Sequence, residues 1–343
     1  MKRYGDLKKI WCTYETLLQA FNEVKKHKTY KDSFLMYENN LAVNLSDLLT
    51  RLDNGSYMPR VPYQFTIYEP KERIIQAPHL EDRIVQHALL IATRAIIERR
   101  FLSCSYACRV GYGTHKASDD LKRALIEYKN GGYYLKLDIK KYFYSISHKQ
   151  VLKLLKRIIK CEPTLELFAK FFEAKQNVGL ALGNVTSQIL ANLMLNPIDH
   201  FIKRVLKITN YFRYMDDFIL LHNQKDKLYK CWKMIEAEVK KLCLSLNKKS
   251  KVGKISEGID FVGFKTWYNR RVIRKSSLFR IKRKLKKDAS ISRIASFLSH
   301  SKRTNSLPYV INKIVEIVPQ QKDFIKQWIT NNRGDISNAL FQS

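Results

Sequence analysis

Two adjacent acids, Asp216 and Asp217, sit in Arg213-Tyr214-Met215-Asp216-Asp217, between Tyr211-Phe212 and the apolar run Phe218-Ile219-Leu220-Leu221. Carboxylates this close repel unless a cation neutralises them, and apolar flanks of strand length predict a tight hairpin that holds them at a sheet surface. A further acid lies on another strand-like segment. Gly131-Gly132-Tyr133-Tyr134-Leu135-Lys136-Leu137-Asp138-Ile139 alternates, so Tyr133, Leu135 and Leu137 share one face while Lys136 and Asp138 share the other. If the two strands pair, these three acids can place two divalent ions roughly 3.5–4 Å apart, the spacing used for in-line displacement at phosphorus. The expected ion is Mg2+, which takes a few carboxylates, waters and substrate phosphates in preference to an all-protein cage.

Other residue types fit the same chemistry. Lys71 and Arg73, in Tyr68-Glu69-Pro70-Lys71-Glu72-Arg73-Ile74-Ile75, lie on one side of an extended chain, where both can meet a triphosphate or template phosphates. Phe143 follows Asp138 by five residues, beyond a turn that can return its ring toward a sugar. From Lys265 onward basic residues far outnumber the four acids Asp288, Glu316, Asp323 and Asp335. Arg280-Ile281-Lys282-Arg283-Lys284-Leu285-Lys286-Lys287 spaces Ile281 and Leu285 four apart, so one apolar stripe docks a helix whose remaining face is cationic. Beside a metal site, Arg280, Lys282, Arg283, Lys284, Lys286 and Lys287 read as a phosphate-backbone clamp; alone they would read as a solvated face.

The elements that must position these residues follow from periodicity. Residues 6–55 are expected to be helical, with Leu17, Leu18 and Phe21 recurring, then Leu41, Leu45, Leu48, Leu49 and Leu52 before Asn54-Gly55. Pro59, Pro62 and Pro70 bracket extended segments, including a strand over Tyr63 to Tyr68. A helix is expected from Leu80 to Arg100, another from about Lys149 to Ile159, and a further one from Pro163. A loop from Gly179 to Gly183 opens a long helix, Ser187 to Leu195.

At 343 residues the chain is long enough for two or three subdomains around a shared cleft. Lys and Arg total 63 against 31 Asp and Glu, a net charge of +32 and a pI near 9.9. That excess points to a polyphosphate partner. A membrane role is disfavoured, because no run approaches about 18 apolar residues and no single basic amphipathic helix carries the excess. The segment Met1 to Leu7 has no apolar core or small-residue cleavage site, so a cytosolic location is expected. Cys12, Cys104, Cys108, Cys161, Cys231 and Cys243 contain no Cys-x-x-Cys pair, which predicts reduced thiols and no zinc.

The order of these pieces resembles the reverse transcriptase family from about residue 60 to 290. The resemblance is closest to reverse transcriptases of diversity-generating retroelements. It is carried by Glu81-Asp82-Arg83-Ile84-Val85-Gln86-His87-Ala88-Leu89, Ser105-Tyr106-Ala107-Cys108-Arg109, Leu182-Gly183-Asn184-Val185-Thr186-Ser187-Gln188, Arg213 to Asp217, Gly258-Ile259-Asp260-Phe261-Val262-Gly263-Phe264 and Ile273-Arg274-Lys275-Ser276-Ser277. It implies an α+β right-hand polymerase fold. A helical N-terminal extension would occupy 1–58, fingers 59–130, a palm of antiparallel sheet and helices 131–265 with a finger-like helical insertion about 149–178, and a basic helical thumb and tail 266–343.

The resemblance also implies roles. Asp138 and Asp216 would bind both Mg2+ ions, with Asp217 in support and the carbonyl of Ile139 adding an oxygen; Mn2+ can substitute. Lys71 and Arg73 would hold the triphosphate, and Phe143 would be the ring that excludes a 2′-hydroxyl, selecting deoxynucleotides. Gly183 would let the backbone approach the nucleotide, and Lys249 would be the lysine near the leaving group, with its register left open by neighbouring lysines. Arg109 and Gln188 join the nucleic-acid contacts; Ser187-Gln188 stands where Ser-Pro is usual. Leu182 stands where most of the family has Gln, which predicts weaker geometric discrimination between right and wrong pairs.

The implied activity is an RNA-directed DNA polymerase that copies a dedicated template RNA with poor fidelity, so that mutated cDNA enters a target gene. Its partners would be template RNA, primer, cDNA product, deoxynucleotides and a small basic accessory protein forming a helical barrel, in a bacterial or phage-encoded setting without a membrane partner. Antiphage defence reverse transcriptases share these motifs, and a catalytically silent RNA-binding protein is the alternative from another class. No appended nuclease is expected, since the tail lacks His/Cys clusters and a further acidic constellation.

Overall fold

The computed structural model describes residues 3–26, 32–69, 71–172 and 177–332; Pro70 and Asp335 fall outside these ranges. In chain order, α1 (Lys8–Trp11), α2 (Tyr14–Lys25), α3 (Asp32–Asn39) and α4 (Leu41–Asp53) precede a hairpin of β1 (Tyr63–Ile67) and β2 (Arg73–Ala77). Helices α5 (Leu80–Glu98) and α6 (Thr114–Ala124) lead to β3 (Tyr133–Asp138). Next come α7 (Tyr142–Ser145), α8 (His148–Lys156), α9 (Glu162–Lys170) and α10 (Val185–His200), then β4 (Tyr211–Tyr214), β5 (Asp217–His222) and α11 (Lys225–Lys241). The remainder holds β6 (Lys251–Lys254), β7 (Ile259–Phe261), β8 (Phe264–Thr266), β9 (Arg271–Ile273), α12 (Lys275–Lys287), α13 (Ile291–Ser301), α14 (Leu307–Ile317) and α15 (Lys322–Asn331).

The chain separates into two compact units, one of Met1–Val110, Leu137–Lys207 and Cys231–Lys249, the other of Gly111–Lys136, Ile208–Lys230 and Ser250–Ser343. Strand β3 passes from the second to the first between Lys136 and Leu137. Within the first unit, α2 begins where the Thr13 hydroxyl accepts the Thr16 N–H at 3.2 Å, and it buries Leu17, Ala20, Phe21 and Val24 at helical spacing. That stripe packs on α5, which contains neither Gly nor Pro and buries Ile84, Val85, Ala88, Leu89 and Ala92. Helix α10 is apolar on nearly every side and correspondingly buried, from Ile189 to Leu195. It starts two residues before the expected Ser187, because the Val185 N–H is satisfied by Gln86 Oε1 at 2.9 Å.

The second unit holds a four-stranded sheet in the order β4-β5-β3-β6 and an antiparallel sheet of β7, β8 and β9. The strands of that second sheet are three residues long. Helices α12 to α15 cover its core of Phe264, Ile273, Ile281, Leu285, Ile294, Leu298, Leu307, Val310, Ile314 and Ile325. Beside this core Arg271 is buried and donates to Ser118 Oγ at 2.9 Å, to Asp119, and to the Arg303 carbonyl at 2.7 Å. Such a charge is tolerated only because its donors are filled.

Phe264 stacks on His300 with centroids 4.9 Å apart, and His115 lies 6.1 Å from the same ring. Burial, followed by Arg303 and Arg271, pushes His115 below its usual range; burial, followed by His115 and Arg280, does the same to His300. Both imidazoles therefore resist protonation in the fold, while an unfolded chain takes up protons as pH falls through the ordinary value of 6.5. The proton uptake favours unfolding, so this contribution to stability is full above that value and declines below it. Urea melts should show stability falling between about pH 6.5 and 5, ahead of carboxylate titration, and a His115→Gln/His300→Gln variant should lose less over that window.

Candidate active site

The hairpin expected around the two acids is present. Strands β4 and β5 pair antiparallel with Tyr214 opposite Asp217, leaving Met215 and Asp216 as a two-residue turn. Met215 has φ 56°, a conformation that a two-residue hairpin turn usually assigns to Gly or Asn. Its carbonyl accepts from Arg213 Nη1 at 3.0 Å, and Arg213 is wholly buried. The strain of the turn is thus held by a guanidinium packed beneath it.

Asp216 and Asp217 are both half-buried. Lys136 Nζ lies 3.2 Å from Asp217 Oδ2 and also donates to the Asp260 carbonyl at 2.6 Å. The pair is about one-fifth exposed on each side, so it is screened less than a surface ion pair. Lys136 belongs to β3, the immediate neighbour of β5 in the sheet, and Asp138 is the last residue of that strand.

Asp138 is fixed from the segment after α11. Asn247 Nδ2 donates to Asp138 Oδ2 at 2.8 Å, and the Asn247 N–H donates to the Asp138 carbonyl at 2.6 Å. Ile139 bridges Leu246, and the Lys140 N–H reaches the Ser245 carbonyl at 2.9 Å, which extends the ladder past the end of β3. The other end of the Asn247 amide accepts from the Lys249 N–H at 3.2 Å, leaving the Lys249 side chain exposed. Sequence reasoning missed Asn247, whose only signal is an amide among lysines.

The first unit also joins the nucleotide-binding candidates through backbone. Lys71 and Arg73 are exposed, Lys71 just before β2 and Arg73 opening it opposite Ile67. Further along β2, the Gln76 N–H donates to the Leu182 carbonyl at 2.7 Å. A Cβ on Gly183, whose φ is +136°, would lie 2.2 Å from the Gln76 carbonyl oxygen. The neighbour that demands glycine here is therefore β2. Leu182 is half-buried, and Phe143, half-buried in α7, gives its carbonyl to the Leu180 N–H at 2.8 Å. Lys141 at φ 46° turns the chain into α7, which Tyr142 anchors by donating to the Ala191 carbonyl.

The motif on α5 is structural in detail. Glu81 takes Arg51 at 3.2 Å and Arg60 at 3.5 Å. Asp82 is buried and accepts from the Tyr57 hydroxyl at 2.6 Å and the Arg60 N–H at 3.2 Å. Burial pushes the Asp82 carboxyl up, and these two donors pull the other way. Arg109 donates to the Leu102 and Ser105 carbonyls, each at 2.8 Å, while Gln188 is exposed near the start of α10. On α12, Arg283, Lys284, Lys286 and Lys287 are exposed and Arg280 and Lys282 partly so.

No group of three or more His, Cys, Asp and Glu side chains among the described residues forms a ready-made metal cage. The acids Asp138, Asp216 and Asp217 offer hard carboxylate oxygens, the donor type that suits Mg2+ when waters and substrate phosphates complete its shell.

The β4–β5 hairpin carries two acids at its turn and β3 ends in a third, the residue type that nucleotidyl transfer uses. Residues 69–266 match the family of reverse transcriptases (RNA-dependent DNA polymerases), and the chain belongs to it. Protein YkfC of Escherichia coli is 28% identical over 295 residues, covering 71% of this chain and 75% of YkfC. The group II intron-encoded protein LtrA of Lactococcus lactis is 26% identical over 226 residues, covering 60% of this chain and only 37% of LtrA. Among solved structures, apo telomerase of Candida tropicalis aligns with a TM-score of 0.47 at 13% identity, over 65% of this chain and 58% of that one. Among the described residues no helix is long and apolar enough to cross a membrane.

The Asn247 contact gives a direct test. Asn247→Ala frees the Asp138 carboxylate to rotate and should lower primer extension about 10–100-fold with little change in thermal unfolding, the scale seen when a partner that orients a metal ligand is lost.

Proposed function

We propose that this chain makes cDNA from a dedicated template RNA, with Asp138, Asp216 and Asp217 as its catalytic carboxylates. The observation that carries this reading is that Asp217 opens the strand next in the sheet to the one ending at Asp138. When bound, a pair of Mg2+ ions would supply Lewis acidity to the primer 3′-hydroxyl and the leaving pyrophosphate. The chain's own residues do the positioning. Asn247 holds the Asp138 rotamer, and Arg213 and Lys136 hold the hairpin acids. Lys71 and Arg73 meet the triphosphate, and Phe143 lies against the sugar. The 3′-oxygen forms the new bond to the α-phosphorus as the bond to pyrophosphate breaks. Segments 59–130, 131–265 and 266–343 are assigned as fingers, palm and thumb.

Leu182 supports a diversity-generating role. Its apolar side chain offers the incoming nucleotide contact without a hydrogen bond, so mismatched pairs lose less binding energy relative to matched ones. The resemblance to antiphage enzymes keeps a defence role as an alternative, and the likeness to LtrA favours an intron-type role as a further reading. Sequencing the RNA that copurifies with the chain, and the cDNA made from it, separates them. Adenine-directed changes would support diversification, repeats or homopolymers would support defence, and intron sequence would support the third.

Primer extension on an RNA template with Mg2+ and deoxynucleotides should fall by about 10²–10³-fold or more in Asp216→Asn, and undiminished activity in that variant would sink the catalytic assignment. Leu182→Gln should reduce misincorporation a few-fold, the scale of ~1 kcal/mol in discrimination. An unchanged error spectrum would remove Leu182 from the account of fidelity.

A further inference from the structure

Helix α12 turns Ile281 and Leu285 into the core of its unit, with Leu278 packed against that core. This fixes what the opposite side presents. Lys275, Phe279 and Arg283 follow at four-residue intervals, Lys286 shares their side, and all four are exposed. Four residues advance a helix by about 6 Å, so the Phe279 ring has a cation one turn before it and another one turn after it. Phe279 is 72% exposed, the opposite of what a core phenylalanine would show. On α14, which packs against α12, Tyr309 is 43% exposed with Lys282 Nζ 5.4 Å from its ring centroid. The nearby acid Glu316 is engaged by Lys313.

An aromatic ring between cations on a strongly basic chain matches one ligand chemistry well. Phosphates satisfy the charges, and a planar base covers the ring. A paired base is already stacked within its duplex and would have to be pried open, whereas an unpaired base can lie on the ring without distortion. We propose that this face of α12, with Tyr309 beside it, docks an unpaired stretch of RNA, one base stacked on Phe279 and the adjoining phosphates on Lys275, Arg283 and Lys286. The proposal rests on the reading of the chain as an RNA-copying enzyme and assigns it an RNA contact made by residues other than the catalytic acids.

The test is fluorescence anisotropy of the full chain with a short unstructured RNA and with an RNA–DNA hybrid of equal length, in EDTA over a salt series. Phe279→Ala should weaken RNA binding about 5–50-fold while leaving the slope of log affinity against log salt unchanged, and Phe279→Trp should restore it. Lys286→Gln should instead reduce that slope by about 0.7, the share of one phosphate contact on a single strand. Equal thermal unfolding of the variants excludes a folding defect. RNA affinity within twofold of wild type in Phe279→Ala, or an equal loss on the hybrid, overturns the proposal. Because binding is read without catalysis, that failure is distinct from failure of the polymerase reading, which the Asp216→Asn assay decides.

Discussion

Two carboxylates on consecutive residues are a charge problem before they are a catalytic device. At about 4 Å and an effective dielectric near 20, like charges repel by about 4 kcal/mol, comparable to a large part of a domain's net stability. Lys136 answers this at Asp217, and its second bond to the Asp260 carbonyl keeps it from swinging into solvent. Arg213 acts from below by bonding the Met215 carbonyl, which makes a positive φ tolerable at a side chain larger than glycine. The order of the sheet, with β3 next to β5, brings Lys136 to Asp217.

The segments that mark the family have a second meaning in this fold. Glu81, Asp82 and Gln86 tie α5 to Arg51 and Arg60, to Tyr57 and to the start of α10. Gly183 and Leu182 join a loop to β2, the strand that begins with Arg73. Side chains that could touch substrate are thus carried on backbone whose position is set by hydrogen bonds among motif residues. A site built this way keeps its geometry without relying on flexible surface contacts.

Much of this arrangement was legible because its periods are long enough to read. The strand from Tyr133 to Asp138, the apolar flanks of the Asp216-Asp217 turn, the uninterrupted helix α5 and the Ile281/Leu285 stripe of α12 all appear as expected, although Tyr134 is buried on the side of β3 that carries Lys136 and Asp138. Three-residue strands such as β7, β8 and β9 contain a single alternation and give no period to detect. The burial of Arg213 is not legible because nothing local says that both faces of its strand are covered. Asn247 is invisible for a related reason: its partner, Asp138, is distant along the chain. The resemblance gives Gly183 a nucleotide to approach, whereas a Cβ there would meet the carbonyl oxygen of Gln76, a neighbour that the sequence does not name.

The chain crosses between its two units at residues 110–111, 136–137, 207–208, 230–231 and 249–250, which gives the molecule a distinctive order of assembly. During translation the first unit lacks its last segment until residue 249 has left the ribosome, by which time two pieces of the second unit are already exposed. Strand β3 shows the effect: its edge toward β6 stays unpaired until Lys251–Lys254 has been made, longer than in a protein whose domains are contiguous.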